Sequence, residues 1–298
     1  MDYKDALSAY GYIAGWKLVG ALPYAVTAPA FRLAADKVSD NGRGMDQLRR
    51  NLTRVVGAEH VTSELVRESV RSYARYWLEA FRLPRIEKDE ALITRYTEGV
   101  SGTQYLDAAL AKGKGAVLTL PHSGNWDFAG LWLTKHYSQF TTVAERLKPE
   151  VLFDAFVDFR ESLGFEVLPL TGGAAPFPRL REVLENNGIV CLLGERDLGG
   201  KGVPVTFFGE ATTFPVGPAK LAIETGAELL VVHSWFTEDA NGPGWGLKVD
   251  PPVEVDELGP TVQRVADAFA TNIAAHPADW HMLQPVWPSD WKPRRKKV

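Results

Sequence analysis

Residues 115–127, GAVLTLPHSGNWD, set an apolar run of strand length against a polar turn and a helix start. The run GAVLTL reads as a buried strand, and residues 126–136 as the amphipathic helix that follows it. His122 stands just past the strand, and Asp127 lies five positions later on the helix. The Ser123–Gly124–Asn125 turn lets the chain reverse, and the helix N-terminus offers unpaired N–H groups and positive potential. A histidine with a carboxylate nearby is the minimum general-base unit. The acid fixes tautomer and orientation, and the imidazole takes a proton near neutral pH. The same spacing also serves a purely structural arrangement, with His122 capping the turn and Asp127 bonding first-turn amides.

Outward from this junction, short apolar strands alternate with helices. Strands read at 141–144, 166–170, 189–193 and 229–236, with a further short one at 247–249. Helices read at 149–163, near 179–186, at 215–225 (ended by Gly226) and at 260–275. The alternation predicts an α/β fold with a mixed, mostly parallel central sheet sandwiched by helices, preceded by N-terminal amphipathic helices. Functional residues then gather where strands end and helices begin. With no repeat or low-complexity linker, 1–298 reads as one domain: a helical N-terminus over 1–37, a helical subregion over 38–100, a core over 101–287 and a basic tail over 288–298.

From Ala6 to Phe31 the only charged side chain is Lys17, while Tyr10, Tyr12, Trp16, Tyr24 and Phe31 crowd the stretch. A membrane-spanning helix needs about 20 mostly apolar residues, and Lys17, Pro23 and Pro29 interrupt this one. It reads as a helix pair lying at a membrane surface, or as a hairpin capping the core. A further helix over 63–81 carries the apolar stripe Val66, Val70, Tyr73, Trp77, Phe81 and the row Arg67, Arg71, Arg75. With Arg49, Arg50 and Arg54, that row reads as a solvated face or as a face for anionic headgroups, each cation contributing about 1 kcal/mol there. The tail residues Arg294, Arg295, Lys296 and Lys297 admit the same two readings.

Composition narrows the chemistry. Across 298 residues, 33 Lys+Arg against 37 Asp+Glu leave a net charge of −4, which argues against nucleic-acid binding. A single cysteine excludes a disulfide framework and a cysteine-based zinc module. That cysteine, Cys191, lies inside the apolar strand IVCLL and reads as inert. Ser123 lacks the G-x-S-x-G elbow, and no His/Cys/Asp cluster has metal-ligand spacing. Without a protein nucleophile, His122 is left to activate an external hydroxyl for group transfer onto an alcohol.

HSGNWD at 122–127, GERD at 194–197 and the segment VTFFGEATTFPVGPAKLAIETGAEL beginning at Val205 resemble the lipid A biosynthesis acyltransferase family, which is marked by an H-x4-D/E motif. With TVAERLKPE, FRESLGFEVLPL and NIAAHPADWHMLQPVW, the likeness narrows to mycobacterial members that acylate phosphatidylinositol mannosides, over roughly Leu48 to Trp287. The resemblance implies a peripheral enzyme at the cytoplasmic face of the cell membrane. On that resemblance it would move a fatty acyl group such as palmitoyl from acyl-CoA to a mannose hydroxyl, with no cofactor expected beyond that co-substrate. His122 and Asp127 match the H-x4-D motif, and Glu195 matches the acidic residue of the later segment.

Glu195 follows the strand at 189–193 and can project at the same sheet edge as His122, where a carboxylate would accept the second imidazole N–H. The expected arrangement is Glu195 on His122, with Asp127 structuring the loop; Glu195 also reads as a surface ion pair with Arg196. Expected oxyanion donors are the backbone N–H groups at Gly124 and Asn125, beside Ser123. Arg146, Arg160 and Arg196 are candidates for phosphate or oxyanion contact, or surface ion pairs. Phe207 and Phe208 read as lining for an acyl-chain groove, where each buried CH2 contributes about 0.8 kcal/mol, or as packing. Two other functions stay open: acylation of a lysophospholipid or lipid A precursor, and a non-catalytic lipid-binding scaffold. The intact HSGNWD and GERD segments speak against a scaffold, because binding needs no histidine–carboxylate unit.

Overall fold

The structure, a computed structural model, describes residues 3–146 and 148–291, with side chains from residue 11 onward. The four tail cations lie outside the described residues. The strands are β1 (Val100–Ser101), β2 (Ala116–Leu120), β3 (Phe140–Ala144), β4 (Phe165–Pro169), β5 (Ile189–Leu193), β6 (Val203–Phe207), β7 (Glu210–Phe214), β8 (Glu228–Asp239) and β9 (Gly242–Val249). The helices are α1 (Tyr3–Ala21), α2 (Tyr24–Val38), α3 (Asp46–Val56), α4 (Ser63–Ile86), α5 (Glu90–Glu98), α6 (Thr103–Ala111), α7 (Trp126–His136), α8 (Glu150–Ser162), α9 (Pro176–Glu185), α10 (Gly217–Thr225) and α11 (Leu258–Ala275).

Seven strands form one sheet in the order β1-β9-β8-β2-β5-β3-β4. All its pairs are parallel except β8 with β9. Because side chains alternate along a strand, Ala116, Leu118 and Leu120 enter one core with α5, α6 and α7. Val117, Val190, Leu192 and Val231 enter the other, beneath α9, α10 and α11. Burial on both faces explains why β2 and β5 read as unbroken apolar runs rather than alternating ones.

The short strand expected at 247–249 is the end of β9. Its first half, Gly242 to Gly246, is too rich in glycine to read as strand and is held by the β8 ladder. A second difference is the hairpin of β6 and β7, where Phe207 pairs with Glu210 across Phe208 and Gly209. Both turn residues have positive φ, 50° and 77°, the geometry a two-residue hairpin loop demands.

At the N-terminus, the indole of Trp16 on α1 is buried among Phe81 (5.5 Å), Phe156 (4.9 Å) and Phe159 (4.9 Å). Leu18, Val26, Leu33 and Val38 remain exposed on α1 and α2. Among the described residues no helix is long and apolar enough to cross a membrane. The arginine row is tied down. Arg71 binds Asp36 of α2 at 2.6 Å and Glu68 at 2.8 Å. Arg75 binds Glu79 at 2.7 Å, and Arg67 pairs with Glu64. Upstream, Arg54 binds Glu210 at 2.6 Å and Asp290 at 2.9 Å. Arg54, Arg71 and Arg75 thus join their helices to other elements, while Arg67 pairs within α4, so each cation of the row has an acidic partner.

Candidate active site

β2 and β5 are parallel neighbours with Leu120 opposite Leu193. Two residues beyond each of these positions, the chain reaches His122 and Glu195, so the register sets them side by side. One carboxylate oxygen, Glu195 Oε1, accepts from the His122 backbone N–H at 2.6 Å and lies 2.8 Å from the ring Nδ1. A carboxylate only accepts, which puts the ring proton on Nδ1 and leaves the Nε2 lone pair for an incoming hydroxyl. The Glu195 side chain is 0% exposed and that of His122 20% exposed, so the base can be reached and its partner cannot. Burial pushes the Glu195 carboxyl up. The His122 ring and backbone N–H outweigh burial and hold it below its ordinary value of 4.5.

Asp127 is engaged elsewhere. Its carboxylate accepts from Arg160 of α8 at 2.8 and 3.2 Å and from the Tyr76 hydroxyl of α4 at 2.8 Å. Burial, first, and then the Asp127 charge push the Tyr76 hydroxyl well above its ordinary range, so it stays protonated and donates. Tyr76 stacks on Trp126 with ring centres 3.8 Å apart, and Trp126 meets the His122 ring edge-on at 5.4 Å. Asp127 therefore ties the start of α7 to α4 and α8.

The turn between them is pinned. Gly124 has φ 55°, and a Cβ there would stand 2.5 Å from Ser234 backbone, which leaves glycine as the residue that fits. Its N–H donates to Asp279 O at 3.0 Å, and the Asn125 N–H donates to Ser234 Oγ at 3.2 Å. The oxyanion donors expected here are thus already used inside the protein, because the turn is wedged between β8 and the 277–281 segment. Ser123 is buried with its hydroxyl 3.2 Å from His233 Nδ1. The Asn125 side chain caps α7 through Phe128 N at 2.9 Å and donates to the buried carboxylate of Glu79 at 2.8 Å.

The remaining candidates separate. Arg160 belongs to the Asp127 cluster. Arg146 binds Gly172 O at 2.8 Å and Glu150, away from His122. Arg196 is half-buried and makes no ion pair among the described residues; Glu195 turns inward to His122 instead. Phe207 is fully buried between Phe214 and Trp287, at 5.0 and 5.7 Å, with Phe208 packed on it at 4.6 Å. Phe207 fills the core on the α11 face, and the half-buried Phe208 packs against that core.

A groove exists on the opposite face. An apolar cavity between α7 and the sheet is walled by Leu118, Leu120, Cys191, Leu193, Trp132 and Phe140, with Trp126, Asp127 and Arg160 also on its lining. Sequence reading missed it because its wall is assembled from α7 together with side chains of several strands far apart in the chain, among them β2, β3 and β5. The available signal was the unbroken apolar run of β2 and β5, which presents apolar side chains to this face as well as to the other. Cys191 is part of that wall, and burial pushes its thiol far up, away from thiolate chemistry. Among the described residues, no group of three or more His, Cys, Asp or Glu side chains could hold a metal ion.

Comparison with known proteins adds the lineage. The phosphatidylinositol mannoside acyltransferase of Mycolicibacterium smegmatis is 54% identical over 291 residues, covering 96% of this chain and 93% of that protein. Its namesake in Mycobacterium tuberculosis is 53% identical over 292 residues, covering 96% of this chain and 90% of that one. The model of the bacterial lipid A biosynthesis acyltransferases matches residues 3–289, a span that takes in the sheet, the His122–Glu195 pair and the cavity beside it, and the chain is a member of that acyltransferase family.

Proposed function

We propose that this enzyme transfers a fatty acyl group of about palmitoyl length from acyl-CoA to a mannose hydroxyl of a phosphatidylinositol mannoside, as a peripheral protein at the cytoplasmic face of the cell membrane. The observation that carries the reading is a buried carboxylate on an accessible histidine, beside an apolar cavity walled in part by the tryptophan that packs on that histidine. The names of the two relatives support the acceptor. The exposed apolar residues of α1 and α2 support contact with a lipid surface.

The chemistry is one direct transfer. His122 Nε2 takes the proton of the mannose hydroxyl as its oxygen attacks the thioester carbonyl. Glu195 stabilises the imidazolium as it forms. The tetrahedral intermediate collapses with cleavage of the C–S bond, and the thiolate leaves and recovers the proton from His122. The products are the ester and free CoA thiol, and the step balances without a cofactor. The acyl chain lies in the apolar cavity, and Arg196, without a carboxylate partner among the described residues, is the cation left for CoA phosphate or the oxyanion.

The test offers labelled palmitoyl-CoA with phosphatidylinositol mannoside, a lysophospholipid and a lipid A precursor in parallel. The expected result is label on the mannoside with the native protein and none with His122→Ala. Label on another acceptor reassigns the substrate, and label on none, or equal transfer by His122→Ala, overturns the proposal.

A further inference from the structure

The stretch around Pro277 to His281 takes no part in the chemistry above, yet it meets the turn of the site backbone to backbone. Trp280 pairs antiparallel with Ser123 as an isolated bridge. On one side of the bridge Gly124 N–H donates to Asp279 O at 3.0 Å; on the other, His281 N–H donates to His122 O at 2.7 Å. These two bonds clamp the backbone of His122 to Gly124.

The clamp is anchored by side chains. The buried Asp279 carboxylate accepts from Ser72 Oγ of α4 at 2.5 Å and from the Phe236 N–H of β8 at 3.1 Å. Ser72 Oγ also lies 2.9 Å from His281 Nε2. With the one hydroxyl proton of Ser72 directed at Asp279, His281 donates its Nε2–H to Ser72. The line Asp279–Ser72–His281 thus closes on the residue whose backbone holds His122. Burial first, then the neighbouring His122, lowers the His281 ring to about 3, so it stays neutral in this role. A carboxylate is costly to bury, and this one secures the geometry of a loop rather than apolar contact.

We propose that Asp279 and Ser72 are positioning residues for the base. They hold the 279–281 strap that fixes the His122 carbonyl, and through it keep the backbone and ring N–H groups of His122 on one oxygen of Glu195. That shared oxygen makes the site sensitive. A small rotation of the His122 backbone loses both bonds, which lie at 2.6 and 2.8 Å.

The proposal rests on His122 being the base, so the experiment reads the strap in two independent ways. Ser72→Ala and Asp279→Asn are compared with the native chain by amide hydrogen exchange over residues 116–126 and by steady-state acyl transfer. Faster exchange in that peptide is expected, with kcat down by about 10-fold to 100-fold, as expected for a misplaced catalytic group, and KM for both substrates unchanged. Unchanged exchange overturns the strap. Faster exchange with native kcat also overturns it, because the segment would then be merely structural. If Asp279→Asn fails to fold, Ser72→Ala decides alone. If the native protein transfers no acyl group, the proposed activity fails and the exchange comparison still decides whether the strap holds the loop.

Discussion

Exchanging Glu195 for Gln removes a charge and keeps the shape. The amide oxygen of Gln can accept both N–H groups of His122 that Glu195 Oε1 now takes at 2.6 and 2.8 Å, so Nδ1 keeps its proton and Nε2 its lone pair. What disappears is the attraction between carboxylate and the imidazolium that forms as the hydroxyl proton arrives. Side-chain exposures of 0% for Glu195 and 20% for His122 leave little solvent to screen it. At an effective dielectric of about 20, unit charges about 4 Å apart attract by about 4 kcal/mol. At about 1.4 kcal/mol per decade, that is about a thousandfold in kcat. The direction of the Glu195 pKa agrees, since His122 holds the carboxyl below 4.5 in spite of burial. The assay is steady-state transfer from labelled acyl-CoA, with circular dichroism and thermal melting to confirm that the variant is folded. KM for acyl-CoA should not change, because Glu195 is not part of the cavity wall. A folded Glu195→Gln with kcat within about threefold of native would refute the reasoning, as would a larger loss from Arg196→Lys.

Arg160→Gln leaves the Asp127 carboxylate, 5% exposed, with the Tyr76 hydroxyl but no cation. Breaking such a pair costs about 3–5 kcal/mol, and an unchanged denaturation midpoint would count against a structural role for the cluster. Burial lowers His281 from 6.5 to about 3, with His122 adding to it. Burial likewise lowers His233 from 6.5 to about 3, with His276 and Lys248 adding to it. The unfolded chain takes up these protons near 6.5 while the folded chain refuses them until about 3. Stability is therefore full above 6.5 and drains toward 3, by up to about 1.4 kcal/mol per pH unit for each ring. Melting temperature followed from pH 7 downward should fall, less steeply in His233→Gln, and a flat profile would be inconsistent. Leu18→Asp with Leu33→Asp, at positions 61% and 71% exposed, should abolish sedimentation with anionic vesicles while transfer to a soluble short-chain acceptor persists. Unaltered sedimentation would remove α1 and α2 from membrane contact.

Local patterning made much of the fold legible. A helix at 126–136 and a strand at 189–193 follow from apolar spacing and end signals, and both stand at those bounds in the structure. The hairpin of β6 and β7 escaped because aromatic residues at 207 and 208 suggested a ligand groove, whereas the reversal places Phe207 in the core. The arginine row on α4 was legible as a row. Its partners were not, because Asp36 lies 35 residues away on another helix.

The amino-acid sequence by itself determined the α/β class, the strand-to-helix junction and the presence of His122 and Asp127 there, since all three depend on neighbours within a helical turn or a strand length. Only the tertiary structure decided which carboxylate meets the histidine. Asp127 is five residues away and turns to Arg160 and Tyr76; Glu195 is 73 residues away and arrives because β5 pairs with β2 in one register. Strand order and register come from competition among many apolar runs for neighbours, a long-range choice that periodicity does not encode. The same choice consumed the N–H groups of Gly124 and Asn125 and opened the cavity under α7.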